Sequence, residues 1–372
     1  VSAPLLKGQL RYLGDLGYEI HLACPESEEA QAFATAEGAR FHPIAFSREP
    51  SLLADIRALG SVLALVRRLD PSIVNASTPK AGLLGMLGAW LKRVPVRVYV
   101  VRGLRYETAM GRNRRLLMTL ERIAMRLASH AVFNSRSLVE EAGSNRLIPA
   151  GKVEILGAGS GNGLDHAYFR PQSREAARRE LNLPLRAPMI GFVGRLTRDK
   201  GIENLVALLD DLDPSVMLLL VGQAEAGDPL PPLVLDRLSN DSRIVHLGQL
   251  DDPRAAFASM DVLVFLSKRE GLPNVVLEAQ SMGIPVVALD ATGTRDALAP
   301  GLKELAVAAD EWEELVEVIN RLLGSPELRE RLGTGARGWV VEHFDRERLW
   351  AELARNYDKW MPAAASERKT SS

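Results

Sequence analysis

Two glutamates eight residues apart, Glu270 and Glu278, bracket a turn that reads Gly271-Leu272-Pro273-Asn274. The turn follows an apolar, β-branched run at 262–266 and opens a helical pattern. Gly271 permits an unusual backbone turn, and Pro273 suits the first turn of a helix, where its missing N–H costs nothing. The free amides of such a helix start form a place for a phosphate group. Glu278, about one turn into the helix, is placed to accept hydrogen bonds from ribose hydroxyls. Glu270, before the turn, faces the crevice at the carboxyl end of the strand, where ligands bind in open α/β sheets. The competing reading makes both glutamates exposed acids at a helix start, where the dipole favours them. Turn, helix start and both acids agreeing at one place speak against it.

A second group, Gly194-Arg195-Leu196-Thr197-Arg198-Asp199-Lys200-Gly201, ends the strand-like run 189–193. Arg195 offers a planar fork of donors and Lys200 a point charge, a pairing suited to a diphosphate. Two basic residues in a loop are usually just solvated, but the glutamate motif in the same domain turns the reading towards a ligand. Two other patterns are set aside. Asp211-Leu212-Asp213 has a spacing that can hold a divalent ion, yet it falls before the strand 216–221, at the end away from the crevice. The glycine-dense stretch 157–163 resembles a dinucleotide fingerprint, but Pro171 blocks the helix such a fingerprint must open. A flexible crossing between domains is expected there. With one cysteine, Cys24, and six scattered histidines, no metal site is expected.

These groups need strands and helices to hold them. The chain has 372 residues, about right for two domains. Hydrophobic residues make up 47% and charged residues 25%, as in a folded globular protein, and the net charge of −1 excludes a dedicated nucleic-acid binder. Strand-like runs recur at 18–24, 40–45, 72–76, 96–101, 130–134 and 153–156, and again at 189–193, 216–221, 243–247, 262–266 and 285–289, with helical patterns between them. That alternation implies two doubly wound α/β domains with parallel sheets, meeting near 157–171. An amphipathic helix at 5–16 comes before any strand, so a first strand is expected to be missing from this chain. Residues 345–360 read as a C-terminal helix and 363–372 as a disordered tail.

Charge is unevenly shared. Residues 1–170 hold 22 basic and 15 acidic residues, a net of +7, and the remainder carries −8. Seven arginines (102, 105, 112, 114, 115, 122 and 126) fall together, close to the apolar run 82–91. That run is either a buried helix or, with the arginines, a surface for an anionic acceptor or anionic lipid. No run of 18 apolar residues is present, so no spanning helix is expected and the cytoplasm is the plain location.

Taken together, Gly194-Arg195…Lys200-Gly201 and Glu270-Gly-Leu-Pro-Asn…Glu278 resemble the donor domain of family 4 glycosyltransferases, retaining and metal-independent enzymes of the GT-B architecture. Residues 172–345 carry the resemblance most clearly. Thr78-Pro79-Lys80-Ala81-Gly82 and Asn162-Gly163-Leu164-Asp165 are similar to members that build bacterial surface glycans. The resemblance implies an acceptor-binding Rossmann-like domain over 1–168, with the helix 345–361 packing back on it, and a nucleotide-sugar domain over 172–344. It implies that Arg195 and Lys200 bind the donor diphosphate in place of a metal, that Glu270 contacts the donor sugar, and that Glu278 holds the ribose. Gly194, Gly271, Leu272, Pro273 and Asn274 would complete the donor site. The reaction would pass a sugar, with retention, from a nucleotide donor (UDP by frequency in the family) to a glycan or polyprenyl-linked hydroxyl. No cofactor is implied, and the cytoplasmic face of the membrane is the expected surface. Lys80, Arg102 and Arg105 fall on the acceptor side. Arg102 stands where many relatives place a histidine after the strand 96–101, and Asn75 and Ser77 also stand at positions often held by histidine. A nucleotide-sugar 2-epimerase and a non-catalytic sugar-nucleotide binder are the rival readings.

Overall fold

The computed structural model describes residues 3–46, 51–225 and 227–362, so the expected tail at 363–372 lies outside the described residues. All eleven expected strands form: β1 (His21–Cys24), β2 (Arg40–Pro43), β3 (Ile73–Ser77), β4 (Val96–Val101), β5 (His130–Phe133), β6 (Val153–Ile155), β7 (Met189–Val193), β8 (Met217–Val221), β9 (Ile244–His246), β10 (Val262–Phe265) and β11 (Val286–Ala288). Every strand pairing is parallel. Between and after the strands lie helices, among them α1 (Gln9–Asp15), α2 (Leu52–Leu69), α3 (Pro79–Leu91), α4 (Gly111–Leu127), α5 (Asn274–Ser281) and α6 (Arg346–Trp360). The chain divides into two units. One runs to Gly163 and takes in the residues from Arg346 on; the other is Leu164–Asp345.

In the first unit β3, β4, β5 and β6 form one sheet in that order, and β1 pairs with β2 apart from it. Alternation along β4 builds the core on both faces. Val96, Val98 and Val100 pack with Leu13 of α1 and with Leu349, Leu353 and Tyr357 of α6. Tyr99 and Val101 pack with Met86 of α3 and Met125 of α4. Beneath α4 the buried Glu121 accepts a 2.7 Å hydrogen bond from the Tyr99 hydroxyl.

Two expectations for this unit change, for 5–16 and 157–163, and the choice left open for 82–91 is decided. The helix expected over 5–16 is broken into a 3-10 turn, Ala3–Leu6, and α1. Gly8 between them has φ 82°, which no right-handed helix accommodates, and its N–H donates to Glu37 instead. The run 82–91 is a buried helix rather than a surface beside the arginines. Gly82, Gly85 and Gly88 recur every three residues, and side chains there would collide with the fold. A Cβ on Gly82 would sit 2.2 Å from the Tyr99 ring, and one on Gly88 would sit 2.6 Å from Val62. Only its end is open, with Trp90 and Leu91 about half exposed. The stretch 157–163, expected to be a flexible crossing, is instead tied at several points: Ser160 N–H to the Asn134 carbonyl at 2.7 Å, Gln9 Nε2 to the Gly161 carbonyl at 3.0 Å, and Trp350 Nε1 to Asn162.

The second unit is a five-stranded sheet in the order β11-β10-β7-β8-β9. The chain starts in its middle at β7, builds outward through β8 and β9, then returns to the other side of β7 with β10 and β11. The order therefore reverses between β7 and β10. Asp211 and Asp213 both lie before β8, and each serves a neighbour. Asp211 accepts from Trp312 Nε1 at 2.8 Å, and Asp213 accepts from the backbone and hydroxyl of Ser215. Among the described residues no helix is long and apolar enough to cross a membrane.

Candidate active site

The loops that follow β7 and β10 leave the carboxyl ends of adjacent strands at the point where strand order reverses. That is where a parallel sheet opens a crevice for ligands. Both motifs lie there. The loop after β7 carries Gly194, Arg195 and Lys200, and the loop after β10 carries Glu270 to Pro273. The two are joined by an ion pair between Lys200 Nζ and Glu270 Oε1, whose side chains are each only 15% exposed. The Lys268 N–H and the Ser267 hydroxyl also reach back to the Asp199 carbonyl. Arg195, more exposed, pairs with Glu225 at 2.5 Å. Neither base is merely solvated: each is held in place by an acid, and a diphosphate entering here would compete with or add to those carboxylates.

The helix start behaves as the motif requires. Pro273 is the residue before α5, with an extended backbone (φ −74°, ψ 112°), and no side chain among the described residues caps the first turn. The Val276 N–H turns back to the Pro273 carbonyl at 3.1 Å, which leaves the amides of Asn274 and Val275 to face an anion. Gly271, Leu272 and Pro273 are buried and Asn274 is half-buried. The Glu270 N–H donates to the Thr292 carbonyl at 3.1 Å, so the segment after β11 braces the turn from the other side. Gln280, fully buried on α5, bonds to the backbone of Ala297 and Ala299, which fixes the helix axis. One turn in, Glu278 has no side-chain hydrogen bond or ion pair among the described residues. Desolvation pushes its carboxyl up to about 7. An unpaired, half-buried carboxyl beside an open helix start is a ready acceptor for vicinal hydroxyls.

Several partners escaped sequence reasoning. Asp199 is one: burial pushes its pKa up, but the Thr197 hydroxyl, Lys200, Arg195 and Arg269 outweigh that and hold the carboxyl below its ordinary value. Glu225 is another. Its signal was present, since it follows β8, the neighbour of β7, and residues just past adjacent strands line such crevices. Thr292 carried none, because it acts only through its carbonyl.

The three residues expected on the acceptor side lie in the first unit. Lys80 at the start of α3 pairs with Asp55 of α2 at 2.9 Å. Arg105 is exposed in a short 3-10 turn, Arg105–Thr108. Arg102, at the end of β4, is half-buried. The remaining arginines divide. Arg112, Arg115 and Arg126 are exposed along α4, Arg114 lies over the Tyr106 ring, and Arg122 binds the carbonyls of Asn145 and Arg146. The apolar side chains that accompany them are not those of 82–91 but Met110 and Leu116, which are 81% and 55% exposed. Leu52, Leu53 and Ile56 at the start of α2 are exposed as well.

Residues 173–339 match the family described as glycosyl transferases group 1, and residues 5–159 match the glycosyl transferase 4-like domain. The chain is 30% identical to the capsular polysaccharide biosynthesis glycosyltransferase CapM of Staphylococcus aureus, over 97% of this chain and 95% of that one. It is 29% identical to a GDP-mannose-dependent alpha-mannosyltransferase of Mycolicibacterium smegmatis, over 89% of this chain and 86% of the relative. It is 26% identical to the Escherichia coli UDP-Gal:alpha-D-GlcNAc-diphosphoundecaprenol alpha-1,3-galactosyltransferase, over 78% of each. Among solved structures, Anabaena Alr3699/HepE in complex with UDP-glucose superposes with a TM-score of 0.78 at 20% identity, covering 95% of this chain and 96% of that one.

Proposed function

This chain belongs to the family 4 glycosyltransferases and has the GT-B fold, and on that premise we propose that it transfers a sugar from a UDP-sugar, with retention, to a hydroxyl of a polyprenyl-diphosphate-linked or other glycan acceptor. The observation that carries this reading is the group at the reversal of the second unit's sheet. There an unpaired Glu278 and an uncapped helix start stand beside the Lys200–Glu270 pair. Glu278 would hold the ribose, and the open amides with Lys200 and Arg195 would take the diphosphate. Glu270, tethered by Lys200, would meet the sugar.

In the reaction negative charge grows on the departing diphosphate. Fixed cations and amides at that spot stabilise it most in the transition state, which is why no metal is proposed. The departing phosphate oxygen would accept the proton of the attacking hydroxyl on the same face of the sugar, giving retention. UDP is favoured over GDP by its frequency in the family, and relatives of both kinds exist: one named for UDP-Gal, another for GDP-mannose. The first unit would receive the acceptor. The exposed arginines of α4, with Met110 and Leu116 near its start, support peripheral binding at the cytoplasmic face of an anionic membrane.

The test is transfer from a panel of UDP- and GDP-sugars to a polyprenyl-diphosphate-linked sugar, with EDTA present and the product anomer read by NMR. A retained anomer at an EDTA-insensitive rate is expected. Arg195→Ala should lower kcat by about a hundredfold, the scale for losing one donor to a developing oxyanion, with a smaller change in KM. An inverted anomer or loss of activity in EDTA would overturn the mechanism. Turnover with GDP-sugars alone would overturn the donor.

A further inference from the structure

Arg102 leaves the end of β4 in an unusual condition. Its Nε is buried and meets no hydrogen-bond partner among the described residues. No carboxylate among them forms an ion pair with it. The guanidinium lies against Gly161, where a Cβ would come within 2.6 Å of Nη1 and 3.1 Å of Nη2, so a side chain there would displace it from this position. Gly161 is itself fixed through its carbonyl by the buried Gln9. The polar group that faces Arg102 is the Tyr357 hydroxyl, which accepts a 2.5 Å bond from Asn75 Nδ2. Burial pulls the guanidinium down to about 10 and pushes the phenol up to about 12, so at neutral pH the arginine is charged and the tyrosine is not. Tyr357 therefore supplies no counter-charge. On the adjacent strand Asn134 bonds its N–H to the Val101 carbonyl at 3.2 Å and leaves its side-chain Oδ1 buried and without a partner.

A half-buried cation whose Nε is shut off from water, with no counter-charge opposite it, weakens a fold. Here the surroundings do not relieve that cost. They shape a slot around it: a missing Cβ, a buried glutamine holding the slot's wall, and a pinned phenol. Groups that cost stability in this way and lie at the carboxyl ends of parallel strands are expected where a ligand supplies the missing charge.

We propose that Arg102 is an oxyanion-binding residue that receives a phosphate or carboxylate group carried by a sugar substrate in the first unit, with the Asn134 Oδ1 accepting from a hydroxyl beside it. This rests on the reading of the chain as a nucleotide-sugar glycosyltransferase and narrows its substrates to those with an anionic group at this position. The group is either the diphosphate of a lipid-linked acceptor or the carboxylate of an acidic sugar. Arg102 gives the same forked contact to both.

The experiment is thermal denaturation of the full chain at constant ionic strength, with UDP saturating so that the donor diphosphate site is occupied. Inorganic pyrophosphate and glucuronate are the two probes. The wild type should be stabilised by at least one of them, pyrophosphate pointing to the acceptor diphosphate and glucuronate to an acidic sugar. Arg102→Met should raise the melting temperature in the absence of probe, because it removes the uncompensated charge. It should also weaken the apparent affinity for the probe by about tenfold or more. Arg102→Lys keeps the charge without the fork and should retain a weakened response. An equal response in wild type and Arg102→Met, or no response in the wild type, would overturn the proposal. Failure of UDP itself to stabilise the wild type would instead count against the donor site in the second unit, and the probe comparison would still decide Arg102.

Discussion

Glu278 shows what a single position can be asked. Its carboxyl is raised because burial disfavours the charge and no neighbour among the described residues offsets it. A ribose that donates two hydroxyls to it would favour the ionised form. Nucleotide affinity should then increase as pH rises through about 7, by up to about tenfold between pH 6 and pH 8. Calorimetry of UDP binding to wild type and Glu278→Gln separates this from titration of the nucleotide, which both proteins share; a parallel pH profile in the two would remove Glu278 from the site. Glu278→Ala should cost about 1–3 kcal/mol of binding, the range for hydrogen bonds to a charged group. The folded-state consequence has the opposite sense. A carboxyl raised in the native state lends stability below its unfolded pKa, and that stability is lost as pH climbs through about 7. The site thus gains ligand affinity over the same pH window in which the fold loses stability.

At the scale of elements, α3 and α4 divide roles that look alike in the sequence. Both follow strands of one sheet, and both carry apolar residues near basic ones. In α3 the spacing of Gly82, Gly85 and Gly88 lets the backbone approach β3, β4 and α2, so the helix disappears into the core. In α4 the polar face stays outside, with Arg112, Arg115 and Leu116 exposed and Arg114 laid on Tyr106. If this face meets anionic lipid, changing Arg112, Arg114 and Arg115 to Ser should reduce co-sedimentation with anionic vesicles, at about 1 kcal/mol for each basic residue at the surface. High salt should have the same effect on the wild type. Equal partitioning of both proteins onto anionic and neutral vesicles would leave α4 a solvated helix and favour a soluble acceptor.

The whole molecule is held together in an order the chain does not follow. Helix α6 comes last in sequence, after the entire second unit, yet Leu349, Leu353 and Tyr357 bury themselves against β4 and β5 of the first. His130 of β5 stacks on Trp360 with ring centroids 4.0 Å apart. Leu353→Ala should therefore cost about 2–5 kcal/mol of stability in the first unit, the range for emptying a buried leucine site, while UDP binding in the second unit stays unchanged. Denaturant titration followed by two probes, one for each unit, checks this. A loss of UDP affinity equal to the loss of stability would show instead that α6 supports the donor site.

What the sequence determined by itself is local. Strand positions follow from short β-branched runs between breakers, and all eleven are recovered to within a few residues. The two motifs proposed for the donor are legible because strand end, turn, helix start and acids lie within a few residues of one another, so their geometry is set by the backbone they share. Gly8 marked no break in its helix, because a single glycine within an amphipathic pattern carries little signal until its left-handed backbone is seen. Which acids answer Arg195 and Lys200 was decided only by tertiary structure. Glu225 lies 30 residues from Arg195, and Glu270 lies 70 from Lys200. The fate of the apolar run 82–91 was decided there too, since burial depends on Tyr99 and Val62 arriving from other elements. So was the isolation of Arg102. A missing partner is a property of everything packed around a residue, and no spacing along the chain records it.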